Sequence, residues 1–202
     1  MKVYSCEQLS DEWYAAKLGK VSASQFSKVL NKKTGRKTYM FKLLAERLSG
    51  EPQVSYNNKA MDDGLETEPR ARAYYEALYG KVQQVGFVEI NDYVGCSPDG
   101  LVGDDGLIEI KCPYSSTHLR YVEGNRLPAD YVAQVQGQLW VTGRRWCDFI
   151  SFDSIIKVRP FWKIRVSRDE NYINNVLSIA VDEFVREMNK IEETIANKNI
   201  DF

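Results

Sequence analysis

Two hydrophobic periods divide this chain, and the switch between them constrains its fold more than any other feature. Up to about residue 80, apolar side chains recur at helical spacing. From Gly86 they come in short runs, VGFVEI, YVGCSP and LIEIKC, separated by Asn-Asp and Gly-Asp-Asp-Gly turn chemistry. Those runs read as a meander of three strands. Upstream, Ser10 is placed to cap a short helix through Leu18, ended by Gly19, and Ser22 to cap a second through Leu30. NKKTGRKT (31–38) combines turn residues with cations and reads as an exposed loop. A helix is expected over about 39–48 and another over about 58–79, with Met61, Leu65, Ala71, Tyr74, Tyr75 and Leu78 in phase and Pro69 marking a kink or a break. Downstream come a helix over about 128–141, strands at 146–152 and 160–166, and a long final helix. Ile173, Val176, Leu177, Ala180, Phe184, Val185, Met188 and Ile191 stripe its core-facing side. The sum is an α/β chain: a central mixed sheet flanked by helices.

Composition narrows the class. At 202 residues, with 44% apolar residues, the chain is long enough for one sizeable core and too hydrophobic for disorder. No apolar run is long enough to span a bilayer, and MKVYSCEQLSDEW lacks the apolar stretch of a secretion signal, so a soluble, unexported protein with no membrane partner is expected. Cys6, Cys96, Cys112 and Cys147 form no C-x-x-C pair, which argues against a disulfide framework, a zinc ribbon or an iron–sulfur cluster. The net charge of −1 conceals an alternation: residues 1–60 balance at +6, 61–110 at −8, 111–168 at +6 and 169–202 at −5. Two basic segments on one face could hold a polyanion while the acidic one holds cations. The alternative is ordinary surface charge.

Chemistry concentrates in Ser97-Pro98-Asp99-Gly100 and, ten residues after Asp99, Glu109-Ile110-Lys111. In a strand Glu109 and Lys111 share a face while Ile110 turns to the core. If the GDDG turn (103–106) pairs the two strands, Asp99 and Glu109 lie side by side. Two such carboxylates repel unless a divalent cation joins them, and hard oxygen ligands suit Mg²⁺ or Mn²⁺, to which the Ile110 carbonyl could contribute. Lys111 would then orient or deprotonate a metal-bound water. The only histidine, His118, has nothing near it in sequence to support a Ser-His-Asp or Cys-His scheme and reads as a surface or helix-start residue. Cys112 reads as a packing residue. So do Trp140, Trp146 and Trp162, which are more often core than base-stacking platforms.

The P-D, ten-residue gap, E-x-K spacing resembles the PD-(D/E)xK nuclease superfamily, whose core is a restriction-endonuclease-like mixed sheet flanked by helices. With EWYAAKLGKVSASQFSKVL (12–30), GLETEPRARAYYE (64–76), SPDGL, EIKCPY and YVAQVQGQLWVTG (131–143), the chain resembles the phage lambda exonuclease family of viral recombination nucleases over about residues 12–143.

That resemblance implies one nuclease domain over 1–202: a basic helical part (1–60), a catalytic core (61–168) and a C-terminal helix (169–202). It implies Asp99, Glu109 and Glu68 as ligands of one or two Mg²⁺ ions, with Mn²⁺ as the alternative, Lys111 as the catalytic lysine and Gln134 as the glutamine near the site. Glu66 and Gln136 are weaker candidates. The family's pocket for a 5′-terminal phosphate, an Arg and two serines, falls on Lys17, Ser24 and Ser97, with Ser22 nearby. Lysine there keeps the charge but loses the bidentate fork. The basic loop residues Lys32, Lys33, Arg36 and Lys37 would track the DNA backbone. The implied activity is 5′→3′ degradation of one strand of linear double-stranded DNA to 5′-mononucleotides, by a ring-shaped homotrimer working beside a single-strand annealing protein in the cytoplasm of a bacterial host. The alternatives are a structure- or sequence-specific endonuclease on the same core and a DNA-end-binding module without catalysis.

Overall fold

The computed structural model describes residues 1–31, 35–53 and 59–198, the side chains of 59–66 excepted. Lys32, Lys33 and the side chain of Glu66 therefore lie outside the described residues. The elements are β1 (Lys2–Tyr4), α1 (Asp11–Lys17), β2 (Val21–Ser22), α2 (Phe26–Leu30), α3 (Arg36–Ser49), α4 (Lys59–Tyr79), β3 (Phe87–Asn91), β4 (Val94–Cys96), β5 (Gly100–Val102), β6 (Gly106–Lys111), α5 (Ser115–Gly124), α6 (Val132–Thr142), β7 (Trp146–Phe152), β8 (Phe161–Ser167), α7 (Glu170–Tyr172) and α8 (Ser178–Ala196). A π-helical segment, Ile173–Leu177, joins the last two. No helix among the described residues is long and apolar enough to cross a membrane.

The fold is mixed α/β, but the expected central sheet is two mixed four-stranded sheets, ordered β1-β3-β4-β2 and β5-β6-β7-β8. The supposed meander is cut between them: β3 and β4 pair in the first sheet, β5 and β6 in the second. The reason lies in Ser97-Pro98-Asp99, where the chain leaves one sheet for the other. Pro98 cannot donate to a ladder, so pairing stops there. Reciprocal backbone bonds between Gln83 and Leu101, both 2.8 Å, stitch the sheets together.

Other expectations are corrected in detail. Ser10 caps α1 as expected, accepting from the Trp13 N–H. Ser22 caps no helix; it belongs to β2, parallel to β4. Pro69 neither kinks off nor ends α4, which runs through it without the one backbone bond that a missing N–H forgoes. Lys2–Tyr4 and Ser115–Gly124 form a strand and a helix that neither periodicity announced.

Alternation along β6 divides the interior. Leu107 enters the main core, with Phe26, Met40, Leu44, Leu139, Phe149 and Phe184. Ile108 and Ile110 enter a second core beneath α4, with Ala71, Tyr75, Ile150 and Phe152. Glu109 therefore faces the main core side, where α6 lies. Gly137 sets how close α6 can come: a Cβ there would sit 2.4 Å from the Phe26 ring. That small residue lies between Gln134 and Gln138, so the helix face carrying both glutamines is held firmly in place.

Candidate active site

The β5–β6 register, Gly100 opposite Ile108, brings Asp99 across from Glu109, as the hairpin reading requires. Asp99 Oδ2 accepts the Ile110 N–H at 2.6 Å. Glu109 is 2% exposed and wholly engaged: Oε1 faces Lys111 Nζ at 2.6 Å and Gln134 Nε2 at 2.6 Å, and Oε2 accepts from Gln138 Nε2 at 2.6 Å. Gln138 was not among the sequence candidates. Its signal was available, since it follows Gln134 by one helical turn on the same face. Gln136 points elsewhere, donating to the Ser167 carbonyl and accepting the Asp169 N–H, a structural clamp on the chain after β8.

Glu68 comes from α4 and pairs with Arg72 one turn on, while Arg72 Nε donates to the Asp99 carbonyl at 3.2 Å. The helix-surface ion pair and the approach to the site are thus one arrangement. Burial, and then the negative charges of Glu109 and Glu68, push the Asp99 carboxyl well above its ordinary range. Burial raises Glu68 as well, against the pull of Arg72. For Lys111, burial works to lower the pKa, but the facing Glu109 and Asp99 outweigh it and hold the ammonium above its usual value. Its Nζ also lies 5.2 Å from the centre of the Tyr131 ring.

The donor set suits a hard divalent ion. No three Asp, Glu, His or Cys side chains among the described residues converge tightly enough to enclose one. Mg²⁺ seldom asks for that: it takes one or two carboxylates and completes its octahedron with water and substrate oxygens. Asp99 and Glu109 offer such a pair, and their mutual repulsion is what a cation would relieve.

The remaining candidates separate into groups. Lys17 Nζ lies 4.2 Å from the centre of the Trp13 ring, and the Trp13 indole N–H donates to Ser97 Oγ at 2.8 Å, so one tryptophan brings Lys17 and Ser97 together. Nothing in the sequence singled out Trp13. Ser22 and Ser24 form a separate pair, Oγ to Oγ 3.5 Å, with Ser22 buried and Ser24 exposed. Burial, reinforced by Lys42, lowers the Lys17 ammonium to about 8. Arg36 and Lys37 are not in a loop but open α3. Arg36 is bound to Glu187 and lies over the Phe184 ring, so it fastens α3 to α8, while Lys37 is exposed. His118 is fully buried, not on the surface: Nδ1 meets Ser151 Oγ and Nε2 the Arg159 carbonyl, both at 2.8 Å. Both nitrogens are occupied in anchoring α5 to β7 and the loop after it.

A mixed sheet presenting Pro-Asp and Glu-x-Lys on neighbouring strands, covered by helices on both faces, defines the class: a nuclease fold of the PD-(D/E)xK type. Residues 12–145 match the model of the YqaJ-like viral recombinase domain. An alkaline exonuclease (LHK-Exo) from Laribacter hongkongensis is 39% identical and aligns over 93% of this chain and 96% of that one with a TM-score of 0.87. The same enzyme in complex with dAMP gives 39%, 92%, 96% and 0.87. A phage related exonuclease from Haemophilus somnus 129PT, 18% identical over 88% of this chain and 96% or less of its own (95%), shares the fold with a TM-score of 0.65. No curated protein matches. The chain belongs to the YqaJ-like viral recombinase family and is of the lambda exonuclease type.

Proposed function

We propose that this protein is a metal-dependent 5′→3′ exonuclease that degrades one strand of linear double-stranded DNA to 5′-mononucleotides, leaving 3′ overhangs for recombination. The observation that carries the reading is the convergence of Asp99, Glu109 and Lys111 from a paired hairpin, with Glu109 clamped by Gln134 and Gln138. The relative crystallised with dAMP supports a mononucleotide product.

Asp99, Glu109 and the Ile110 carbonyl, with Glu68 alongside, would hold one or two Mg²⁺ or Mn²⁺ ions. Such an ion, when bound, supplies Lewis acidity to the phosphodiester and acidifies a bound water. Gln134 and Gln138 fix the Glu109 carboxylate in one orientation, which pre-organises the donor set. Lys111, held as an ammonium, orients the attacking water and offers positive charge to a non-bridging phosphate oxygen. Lys17 and Ser97, joined through Trp13, would receive the 5′-terminal phosphate, with Ser22 and Ser24 as the nearby hydroxyls. Lys32, Lys33 and Lys37 would track the backbone, whereas Arg36 is already committed to Glu187. A homotrimer, an annealing-protein partner and a cytoplasmic location complete the proposal, with a single nuclease domain over 1–202.

The test is digestion of linear against closed circular duplex, 5′-phosphorylated or 5′-hydroxyl, with Mg²⁺ or with EDTA. Linear DNA should be consumed only with the ion, and circles should survive. Nicking of circles would favour the endonuclease reading, and binding without hydrolysis the end-binding one.

A pH dependence follows from Lys17. Its folded pKa is depressed to about 8, so it is charged below that pH and neutral above it. The advantage of 5′-phosphorylated over 5′-hydroxyl ends in kcat/KM should therefore be full near pH 7 and fade as pH rises past about 8. Lys17→Arg, which cannot lose its proton in this range, should carry the advantage to higher pH. A flat ratio across that range in the parent protein would remove Lys17 from the phosphate pocket.

A further inference from the structure

Beyond the end of β6 lies a pocket of about 350 Å³ bounded in part by Thr67, Cys112, Tyr114, Phe152, Asp153 and Ile155. It adjoins the candidate centre along two elements, since Cys112 follows Lys111 and Thr67 precedes Glu68. Its volume lies in the range of small-ligand sites, about 300–1,000 Å³.

Two features of its wall are unaccounted for by the fold. Asp153 is only 6% exposed; its Oδ1 accepts the Ile155 N–H at 2.8 Å, but its Oδ2 is buried and meets no donor among the described residues. Buried acceptors are rarely left so, and mark ordered water or a ligand. The space here is far larger than one water needs. Tyr114, by contrast, is 67% exposed, a large ring outside both neighbouring cores.

An aromatic, partly apolar rim with a single buried carboxylate acceptor suits a flat ring that carries an N–H. A metal ion would ask for further hard ligands, and no such cluster occurs among the described residues. We propose that this pocket is a nucleobase subsite, which takes the base of the nucleotide beside the scissile phosphate, Tyr114 lying against its face and Asp153 Oδ2 accepting an N–H from its Watson–Crick edge. In a duplex that edge is occupied by the complementary base, so the subsite accepts a base only after the strand end has opened. The subsite rests on the exonuclease reading and deepens it: orientation comes from a grip on one base as well as on phosphate.

The test measures binding of dAMP and of 2-deoxyribose 5-phosphate, which lacks the base, to the whole protein by calorimetry. The parent protein should bind dAMP at least about fivefold more tightly, as stacking one base implies. Asp153→Ala should weaken dAMP binding about three- to tenfold, the loss of one hydrogen bond, and leave the sugar phosphate unchanged. Equal affinities for the two probes in the parent protein would overturn the subsite, and that comparison needs no variant to fold. So would a variant that folds and keeps the full preference for dAMP. Failure of the exonuclease reading looks different: the parent protein would then release no nucleotide from linear duplex, whereas failure of the subsite alone leaves digestion intact and the two probes bound alike.

Discussion

Asp99→Asn should lower nucleotide release from linear duplex by at least about 10³-fold while leaving the fold intact, because the change removes one ionic oxygen from a hard-cation donor set and alters almost nothing else. The amide oxygen can still accept the Ile110 N–H that Asp99 Oδ2 now takes. Stability should move the other way. Burial and the charges of Glu109 and Glu68 raise the Asp99 carboxyl, so its ionised form is disfavoured in the folded chain without a cation. Removing that charge should therefore hold or raise the melting temperature in EDTA. A calorimetric scan beside a nucleotide-release assay reads both effects. Activity within tenfold of the parent would sink the assignment of Asp99; lost activity with a collapsed melting temperature would show a structural role instead.

The largest effect on stability is expected at Asp148, far from any sequence candidate. This β7 residue is fully buried, and Arg165 opposite it on β8 donates through Nε and Nη2, both at 2.8 Å. Tyr75 of α4 donates its hydroxyl at 2.8 Å, and Lys163 Nζ stands 3.1 Å away. One carboxylate thus fastens α4 to the second sheet. Asp148→Ala strands these donors and should cost about 3 kcal/mol, the low end for breaking a buried pair because Arg165 can turn to water. For a chain of this size that corresponds to a fall in melting temperature of roughly 6–12 °C. Burial raises the Asp148 carboxyl, but the bonds from Arg165, Tyr75 and Lys163 outweigh it and set the folded pKa below the ordinary 3.8. The stabilisation is therefore present above that value and disappears as pH falls through the lower, folded one. Parent and variant should differ most near neutrality and converge in acid; a gap that persists unchanged below pH 3.8 would contradict this account.

How far the sequence could be read depended on how local each signal was. Period-2 runs and a GDDG turn located the hairpin, and alternation assigned Glu109 and Lys111 to one face, because both follow from backbone geometry within a few residues. The cap at Ser10 and the amphipathic stripe of the final helix were legible for the same reason. Gln138 was within reach, one turn past Gln134, though the partner that gives it meaning lies on another element. Arg36 looked like a free cation of a basic loop, since Glu187 and Phe184 stand far along the chain. His118 looked superficial because Ser151 and the Arg159 carbonyl do as well.

Sequence alone determined the chemistry available: hard oxygens and a lysine on neighbouring strands, in an order matching a nuclease family. Tertiary structure decided what each group meets. It divided one apparent meander into two sheets at Pro98, turned Arg72 and Glu68 toward Asp99, closed two glutamines on Glu109, and left Asp153 with an unanswered oxygen beside a cavity. Partnership and desolvation depend on side chains far apart in the chain, and no local period records them.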